Sequence, residues 1–287
     1  MHDDALDPRL LRAFVGITDQ GSFTAAATGL HMTQSTISQQ LARLEEAIGQ
    51  PLIDRSGRPV TPTPAGERLL GYARRILALQ AEAAGLLADP AGTQAVRIGV
   101  ADDILTASMA RVFADFSERH REMRLDVTTG LSRDLARRYG QAEFDVVVVK
   151  ERKASADCRA SFVEPMAWFE SASVARTWPD PIPLVTFPPG GLYREEMFGR
   201  IEREQRSWYV AFSGTSLSSV FVAVEAGMGI SLLPRRPTEE AGLRIYQALA
   251  REEPMAVSLY AWETAGRIAG LVAAMTAELE MRSRISG

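Results

Sequence analysis

Thr33-Gln34-Ser35-Thr36-Ile37-Ser38-Gln39-Gln40-Leu41, preceded by Gly21-Ser22-Phe23-Thr24-Ala25-Ala26-Ala27, is the part of this chain whose pattern decides the fold. Thr33 is a good helix N-cap, and Ile37, Leu41, Leu44 and Ile48 follow at three- and four-residue spacing. The spacing predicts a helix that runs to Gly49, a residue suited to the left-handed position that ends helices. Gln34, Ser35, Thr36, Ser38, Gln39 and Arg43 fall around its outside. Upstream, Ser22 can cap a short helix over Phe23 to Leu30, whose three consecutive alanines let another helix approach closely. His31-Met32 is then a tight turn. Earlier still, Leu10, Leu11, Phe14, Val15 and Thr18 mark a first helix from Pro8, stopped at Gly21-Ser22.

Two short helices joined by a tight turn, the second carrying small hydrogen-bonding side chains at its outer N-terminal surface, is the layout of a helix-turn-helix. Gln pairs bidentately with the adenine edge in the major groove, Ser and Thr donate or accept there, and a Thr methyl packs on a thymine methyl. These residues alone fit equally well a solvated face on an ordinary helical bundle. The flank favours DNA: Pro51-Leu52-Ile53-Asp54-Arg55-Ser56-Gly57-Arg58-Pro59-Val60-Thr61 has two short extended stretches around a Ser-Gly turn, a wing carrying Arg55 and Arg58 toward phosphates or the minor groove. The structural alternative pairs Arg55 with Asp54 or Glu45. Thr63-Pro64, a cap followed by proline at the first helical position, opens a long helix from about Ala65 to Ala88. Its apolar stripe through Leu69, Leu70, Ala73, Ile76, Leu77 and Leu87 calls for a partner helix, with a second copy of the chain as the expected partner. Asp89-Pro90-Ala91-Gly92-Thr93 reads as a hinge.

From Val96 onward strands and helices alternate, which predicts parallel sheets in an α/β half, in two lobes. The expected strands are Val96 to Ala101, Leu125 to Thr129, Phe144 to Val149, Trp168 to Val174, Pro183 to Phe187, Trp208 to Phe212, Gly229 to Pro234 and Val257 to Trp262. Helices are expected over Ile104 to Arg119, Leu131 to Tyr139, Tyr193 to Gln205, Ser216 to Ala226 and Ile268 to Arg282. Asp102 or Asp103 is expected to cap the first of these helices.

At 287 residues the chain is long enough for two cores, and 46% hydrophobic with 24% charged residues is the balance of an ordinary globular protein. A formal net charge of −4 excludes coating of nucleic acid by sheer positive charge, but leaves room for a small DNA-binding patch. Of 32 basic residues only Lys150 and Lys153 are lysine. No apolar run is long enough to span a bilayer and the start lacks the layout of a secretory signal, so no membrane partner and a cytoplasmic location are expected. One cysteine, Cys158, and three scattered histidines imply no internal disulfide, no metal and no cofactor. The nucleophile elbow and the phosphate-binding loop are absent, and Gly227-Met228-Gly229 lacks the third glycine of a dinucleotide fingerprint, so an enzyme is not expected. A solute-binding protein is a remote alternative, disfavoured by the attached DNA-reading motif. A regulator that is ligand-independent, or that responds to oxidation of Cys158, is a further one.

Phe14, Gly21 to Ala27, Leu30, Thr33 to Leu41, Leu44-Glu45, Ile48-Gly49, Leu52 to Arg55 and Thr63 to Gly66 together resemble, over about 55 positions of fixed spacing, the N-terminal signature of LysR-type transcriptional regulators. Arg97-Ile98-Gly99-Val100 and Glu225-Ala226-Gly227-Met228-Gly229-Ile230 resemble the regulatory half of the same family. Leu184 to Arg194 is also similar to the LrhA and HexA branch, repressors of motility and secreted enzymes, with Gly191 where that branch often has cysteine.

The resemblance implies an α+β, two-domain fold. It divides the chain into a winged helix-turn-helix over 1–63, a linker and dimerisation helix with hinge over 64–93, and an effector-binding domain over 94–287. That domain would resemble type II periplasmic binding proteins, with one lobe of about 94–164 and 236–287 and the other of about 165–235. It implies binding of double-stranded operator DNA at an inverted repeat by Ser22, Thr33, Gln34, Ser35, Thr36, Ser38, Gln39, Arg55 and Arg58. Gln39 stands where many members have Arg, which shifts preference from guanine toward adenine or removes a phosphate contact. A small-molecule effector would lie between the lobes against Ala101, Asp102, Asp103, Gly130, Leu131, Ser132, Phe187, Ser213 and Thr215, with Phe187 to Gly191 lining the cleft and Ser213-Gly214-Thr215-Ser216 opening a helix that either binds an anion through its backbone N–H groups or merely caps itself. Many members have Ser or Thr where Asp102 and Asp103 stand, and two carboxylates there oppose an anionic ligand. Three options stay open: a cationic or neutral effector, Asp103 serving only as a helix cap, or no small ligand. Homodimers paired into homotetramers and contact with RNA polymerase complete the implied partners.

Overall fold

The computed structural model describes residues 6–88, 94–174, 178, 180–235, 242–249, 253–263 and 265–286. The chain divides into two compact units, with the break before Gln94.

The first unit is helical with a two-strand ribbon. Helix α1, Pro8–Gln20, starts where Asp7 accepts the Arg9 N–H at 2.7 Å and stops at Gly21, whose φ of 59° is left-handed. Ser22 caps α2, Phe23–Gly29, by accepting from Ala25, and Thr33 caps α3, Gln34–Ile48, by accepting from Thr36 at 3.1 Å. Between them His31 takes a φ of 53°, the turn that re-aims the chain. Gly49, at φ 77°, closes α3. Leu11, Phe14 and Ile17 of α1 meet Ala26 and Ala27 of α2 and Ile37, Leu41 and Leu44 of α3 in one core, all fully or nearly fully buried. Each large side chain so buried contributes about 1.5–3 kcal/mol. The wing is β1, Ile53–Asp54, paired antiparallel with β2, Thr61–Pro62. It is pinned at its base because the Gly21 carbonyl accepts the Val60 N–H at 3.0 Å. Helix α4, Pro64–Ala88, is capped by Thr63, whose hydroxyl accepts from Gly66 at 3.1 Å and donates to the Pro51 carbonyl at 2.7 Å.

The second unit has two lobes. In the first, β3 (Gln94–Ala101), β4 (Met123–Gly130), β5 (Val146–Glu151), β6 (Ala160–Glu164) and β12 (Met255–Ala261) form a sheet of order β4-β3-β5-β12-β6. β3 runs parallel to β4 and β5, whereas β12 is antiparallel to β5 and β6. Helices α5 (Ala107–Arg119), α6 (Ser132–Gly140) and α9 (Arg267–Ser286) belong to this lobe, and α5 and α9 pack on each other. Val146 to Val149 are buried on both faces of the sheet, as their unbroken apolar run requires.

The chain crosses at Pro165 into the second lobe. There β7 (Met166–Ser171) is flanked antiparallel by β10 (Ser231–Pro234) and β11 (Leu243–Ile245), and β8 (Ile182–Thr186) is parallel to β9 (Trp208–Ser213). α7 (Leu192–Arg203) packs on β8 and β10, and α8 (Leu217–Glu225) on β7, β8, β9 and β11.

Several expectations are corrected here. The sheets are not all parallel: the first is mixed, because β12 enters it on the return from the second lobe and so runs opposite to β5, and the β10-β7-β11 sheet is antiparallel. The strands β6 and β11 were not anticipated; β11 has three residues and β6 is an edge strand in which only Glu164 is fully buried. Since β11 pairs with β7, and Leu249 packs in the second lobe's core, the return crossing follows residue 249 and not 235. Helix α5 starts later than Ile104 and its cap is Thr106, which accepts from Met109 at 3.3 Å, so neither Asp102 nor Asp103 caps it. The hinge residues Asp89 to Thr93 lie outside the described residues.

A Cβ on Gly66 would sit 2.1 Å from the Leu52 carbonyl oxygen, far inside any real contact, so this glycine lets α4 start against the wing. The roughly 1 kcal/mol that alanine gains in a helix is smaller than the cost of moving that backbone, about 1–3 kcal/mol. Gly66→Ala is therefore expected to lower the thermal midpoint; an unchanged or higher midpoint would show that α4 is not seated there.

Candidate nucleic-acid interface and effector cleft

The outer N-terminal turns of α3 present an uneven set of polar side chains. Thr33 Oγ1 lies 2.8 Å from both Ser35 Oγ and Thr36 Oγ1 while capping the helix, and Thr36 is half-buried. Gln34, Ser35, Ser38 and Gln39, at i, i+1, i+4 and i+5, share one face; three are exposed and Ser38 is half-buried. Ser22 spends its hydroxyl on the α2 cap. On the wing the two arginines differ. Arg55 pairs with Glu45 at 3.2 Å and lies over the Phe23 ring at 5.4 Å, which is the structural alternative that its neighbours allowed. Arg58 is exposed with no partner among the described residues. Glu45 does more than hold Arg55: its other oxygen accepts the N–H groups of Leu52 and Ile53 at 2.8 and 3.3 Å, tying the start of the wing to α3.

The stripe assigned to a partner helix is largely occupied within the chain. Ala73 is fully buried, and Leu69, Leu70, Ile76 and Leu77 are half-buried against the core of the first unit. Arg12 of α1 donates to Gln80 at 3.1 Å along the same contact. Among the described side chains, the large apolar ones that α4 leaves exposed are Tyr72, at 67%, and Leu79, at 42%, seven residues apart on one face. The Leu87 side chain lies outside the described residues.

In the second unit a small cavity, about 50 Å³ open to a water-sized molecule, lies between the lobes. Eight of the nine expected effector residues line it: Ala101, Asp102 and Asp103 after β3, Gly130, Leu131 and Ser132 at the start of α6, and Phe187 and Thr215 from the second lobe. Ser213, the last residue of β9, does not. Gly191 and Ser216, also expected on the cleft, line it as well, together with Lys150, Leu192, Tyr193 and Leu217, which were not foreseen. Ser216 caps α8 in a reciprocal capping box with Ser219, so that helix start is satisfied internally. A signal for Lys150 was present: it is one of two lysines and ends a strand buried on both faces, where a charge needs a partner.

Lys150 is 2% exposed. Its Nζ contacts Asp103 Oδ2 and the Tyr193 hydroxyl, and stands 2.8 Å from Glu164 Oε2. Glu164 Oε1 is 2.5 Å from Arg282 Nη2, and the Tyr193 hydroxyl donates to Asp103 Oδ2 at 2.5 Å. Burial pushes the Asp103 carboxyl up, but the Lys150 ammonium, the hydrogen bonds from Lys150 and Tyr193, and Arg282 outweigh it and hold the group below the ordinary carboxylate value. Burial, then the charges of Asp103 and Glu164, push Tyr193 well above the usual phenol value, so it is neutral at physiological pH. A depressed carboxyl stabilises the fold above its unfolded value, and that contribution is lost as the pH falls through the folded one. Asp102, by contrast, is exposed, and its carboxylate has no partner among the described residues. Cys158 is free and half-buried against the first lobe's core.

A winged helix-turn-helix joined to a two-lobed domain with a cleft between its lobes defines a DNA-binding regulator with an effector-binding domain. Residues 8–67 match the bacterial regulatory helix-turn-helix proteins of the lysR family, and residues 91–279 match the LysR substrate binding domain. The chain belongs to the LysR family of transcriptional regulators. Among curated relatives, the transcriptional regulator BudR of Raoultella terrigena is 31% identical over 254 residues, covering 81% of this chain and 86% of that protein. The regulator DgdR of Burkholderia cepacia is 29% identical over 229 residues, covering 80% and 78%. Among solved structures, full-length LysG of Corynebacterium glutamicum with bound effector arginine covers 96% of this chain and 98% of its own, at 21% identity and a TM-score of 0.59. ArgP of Mycobacterium tuberculosis covers 93% and 95%, at 22% and 0.54. These matches place the chain in the family without assigning it to a branch.

Replacing Lys150 by methionine keeps the volume but strands the Asp103 carboxylate and leaves Glu164 to Arg282 alone. Breaking a buried pair from one side costs about 3–5 kcal/mol. Urea unfolding of Lys150→Met is expected to show that loss; one under about 1 kcal/mol would mean the cluster is hydrated in solution.

Proposed function

We propose that the chain reads an inverted repeat in double-stranded DNA as a homodimer, with α3 in the major groove and the wing beside it. The observation that carries this is the shared, accessible face of Gln34, Ser35, Ser38 and Gln39, which have the hydrogen-bonding types that read base edges. Thr33 and Thr36, occupied with the helix start, are better placed to position the backbone of α3 than to read bases. Arg58 is the freer wing contact for phosphate. Arg55 must leave Glu45 or reach the duplex while still paired. Among the described side chains, Tyr72 and Leu79 are the large apolar ones of α4 free to meet a second copy, with Leu69 and Ile76 on the same seam at three- and four-residue spacing.

In the effector cleft, the unpartnered Asp102 favours a cationic or neutral small molecule over an anion. Arginine, the effector held by the structurally similar LysG, is a cation of this kind. A role as an enzyme is not proposed, and a cytoplasmic setting suits a DNA-reading protein in which no described helix is long and apolar enough to cross a membrane.

Selection of bound fragments from the source genome at two salt concentrations tests the DNA reading. An enriched inverted repeat whose binding survives moderate salt is the expected result, and uniform, salt-labile binding would overturn it. On that operator, Ser35→Ala is expected to relax preference at one or two base positions, each worth about 1–3 kcal/mol. Arg58→Ala should instead weaken all sequences alike and flatten the salt slope by about one. Unchanged relative affinities among operator variants for Ser35→Ala would remove that residue from the reading face.

A further inference from the structure

Asp103, Lys150, Glu164 and Arg282 all stand on first-lobe elements, after β3, on β5, on β6 and on α9. Their charges alternate and sum to zero within that lobe. Among the described residues, the second lobe contributes to the cluster the neutral Tyr193 hydroxyl near the start of α7, which donates to Asp103 and accepts from Lys150. Its ring packs on Phe187, at 5.1 Å between centroids, and lies 5.1 Å from the Lys150 ammonium. We propose that Tyr193 is a latch that holds the cleft closed without a ligand, and that the effector acts by taking this hydroxyl off Asp103 and Lys150. The proposal rests on the cavity being the effector site.

Three observations support it. Release of Tyr193 strands no charge, because Lys150 keeps Asp103 and Glu164 and each carboxylate keeps its cation; one hydroxyl exchanges its bonds for water or ligand. Among the described residues, the other links from α7 to the first lobe each have at least one exposed partner, and such pairs are weak. Arg133 grips Glu195 with side chains 58% and 40% exposed, and Arg152 reaches Glu196 with its own side chain 67% exposed. The closed cavity, finally, has room for a few waters, whereas sites for ligands of ordinary metabolite or drug size run to roughly 300–1,000 Å³, so a larger effector enters only after the latch lets go. A buried ion pair is in itself a weak way to stabilise a fold, which fits a switching use better than a purely structural one.

Amide hydrogen exchange on the full chain tests the latch, with Tyr193→Phe and Arg133→Ala compared to the parent. Tyr193→Phe keeps the ring packing and removes only the hydroxyl. Exchange in peptides covering 101–105 and 191–196 is expected to accelerate about tenfold or more, the factor carried by one hydrogen bond to a charged group. Arg133→Ala is expected to stay within about twofold of the parent. Equal exchange in Tyr193→Phe and the parent overturns the latch, and so does an equal acceleration by Arg133→Ala, which would make the loosening a general property of α7. In a parallel arm, binding of the genomic fragment pool is compared between Tyr193→Phe and the parent. Faster exchange with unchanged fragment affinity overturns the regulatory role of Tyr193 while leaving the DNA-reading function standing.

Discussion

A lysine ammonium that is 2% exposed has to be compensated by the protein itself, and the second unit is arranged around meeting that demand at Lys150. Asp103 comes from the turn after β3, Glu164 from the end of an edge strand, and Arg282 from the last helix, so the cluster ties together elements far apart in the sequence. The requirement also explains why Asp103 does not cap α5: its carboxylate is needed at Lys150, and Thr106 takes the capping position three residues on. Because the compensating charges all belong to one lobe, the other lobe can dock on them through a neutral phenol.

The first unit solves a different problem. A short recognition helix and a two-strand wing bury too little to fix their mutual geometry by packing alone, and polar ties supply the remainder. Glu45 binds the wing's first strand and Arg55 together, the Gly21 carbonyl holds Val60, and Thr63 links Pro51 to the start of α4. Side chains with these structural tasks, Thr33, Ser22 and Arg55 among them, are of the same types as those that touch DNA. Their engagement separates them from Gln34, Ser38, Gln39 and Arg58, whose side chains have no partner among the described residues, while Ser35 is exposed but shares a hydrogen bond with Thr33.

Both units show one surface serving two needs. The apolar stripe of α4 was expected to wait for a second chain, yet much of it seats the helix on α1. The cleft residues were expected to wait for a ligand, yet Asp103 and Lys150 already satisfy each other. In each case intramolecular partners at high effective concentration take the strongest contacts, and the remaining exposed groups, Tyr72 and Leu79 on the helix and Asp102 in the cleft, mark what is left for an outside partner.

The sequence by itself determined most of the helices, the caps at Ser22, Thr33 and Thr63, the wing, the buried strand at Val146 to Val149 and the family, because capping, glycine turns and apolar periodicity act over a few residues. Most of the effector cleft was also legible, through positions carried over from the family. What only the tertiary structure decided were the contacts between distant segments: the antiparallel return of β12, the pairing of β11 with β7, the use of α4's stripe inside the chain, and the meeting of Lys150 with Asp103, Glu164 and Tyr193. The pairs in that last cluster are up to 90 residues apart in sequence, as for Asp103 and Tyr193. No local pattern encodes such a meeting, since it arises only when both lobes have folded and a buried charge must find its counter-charge in space.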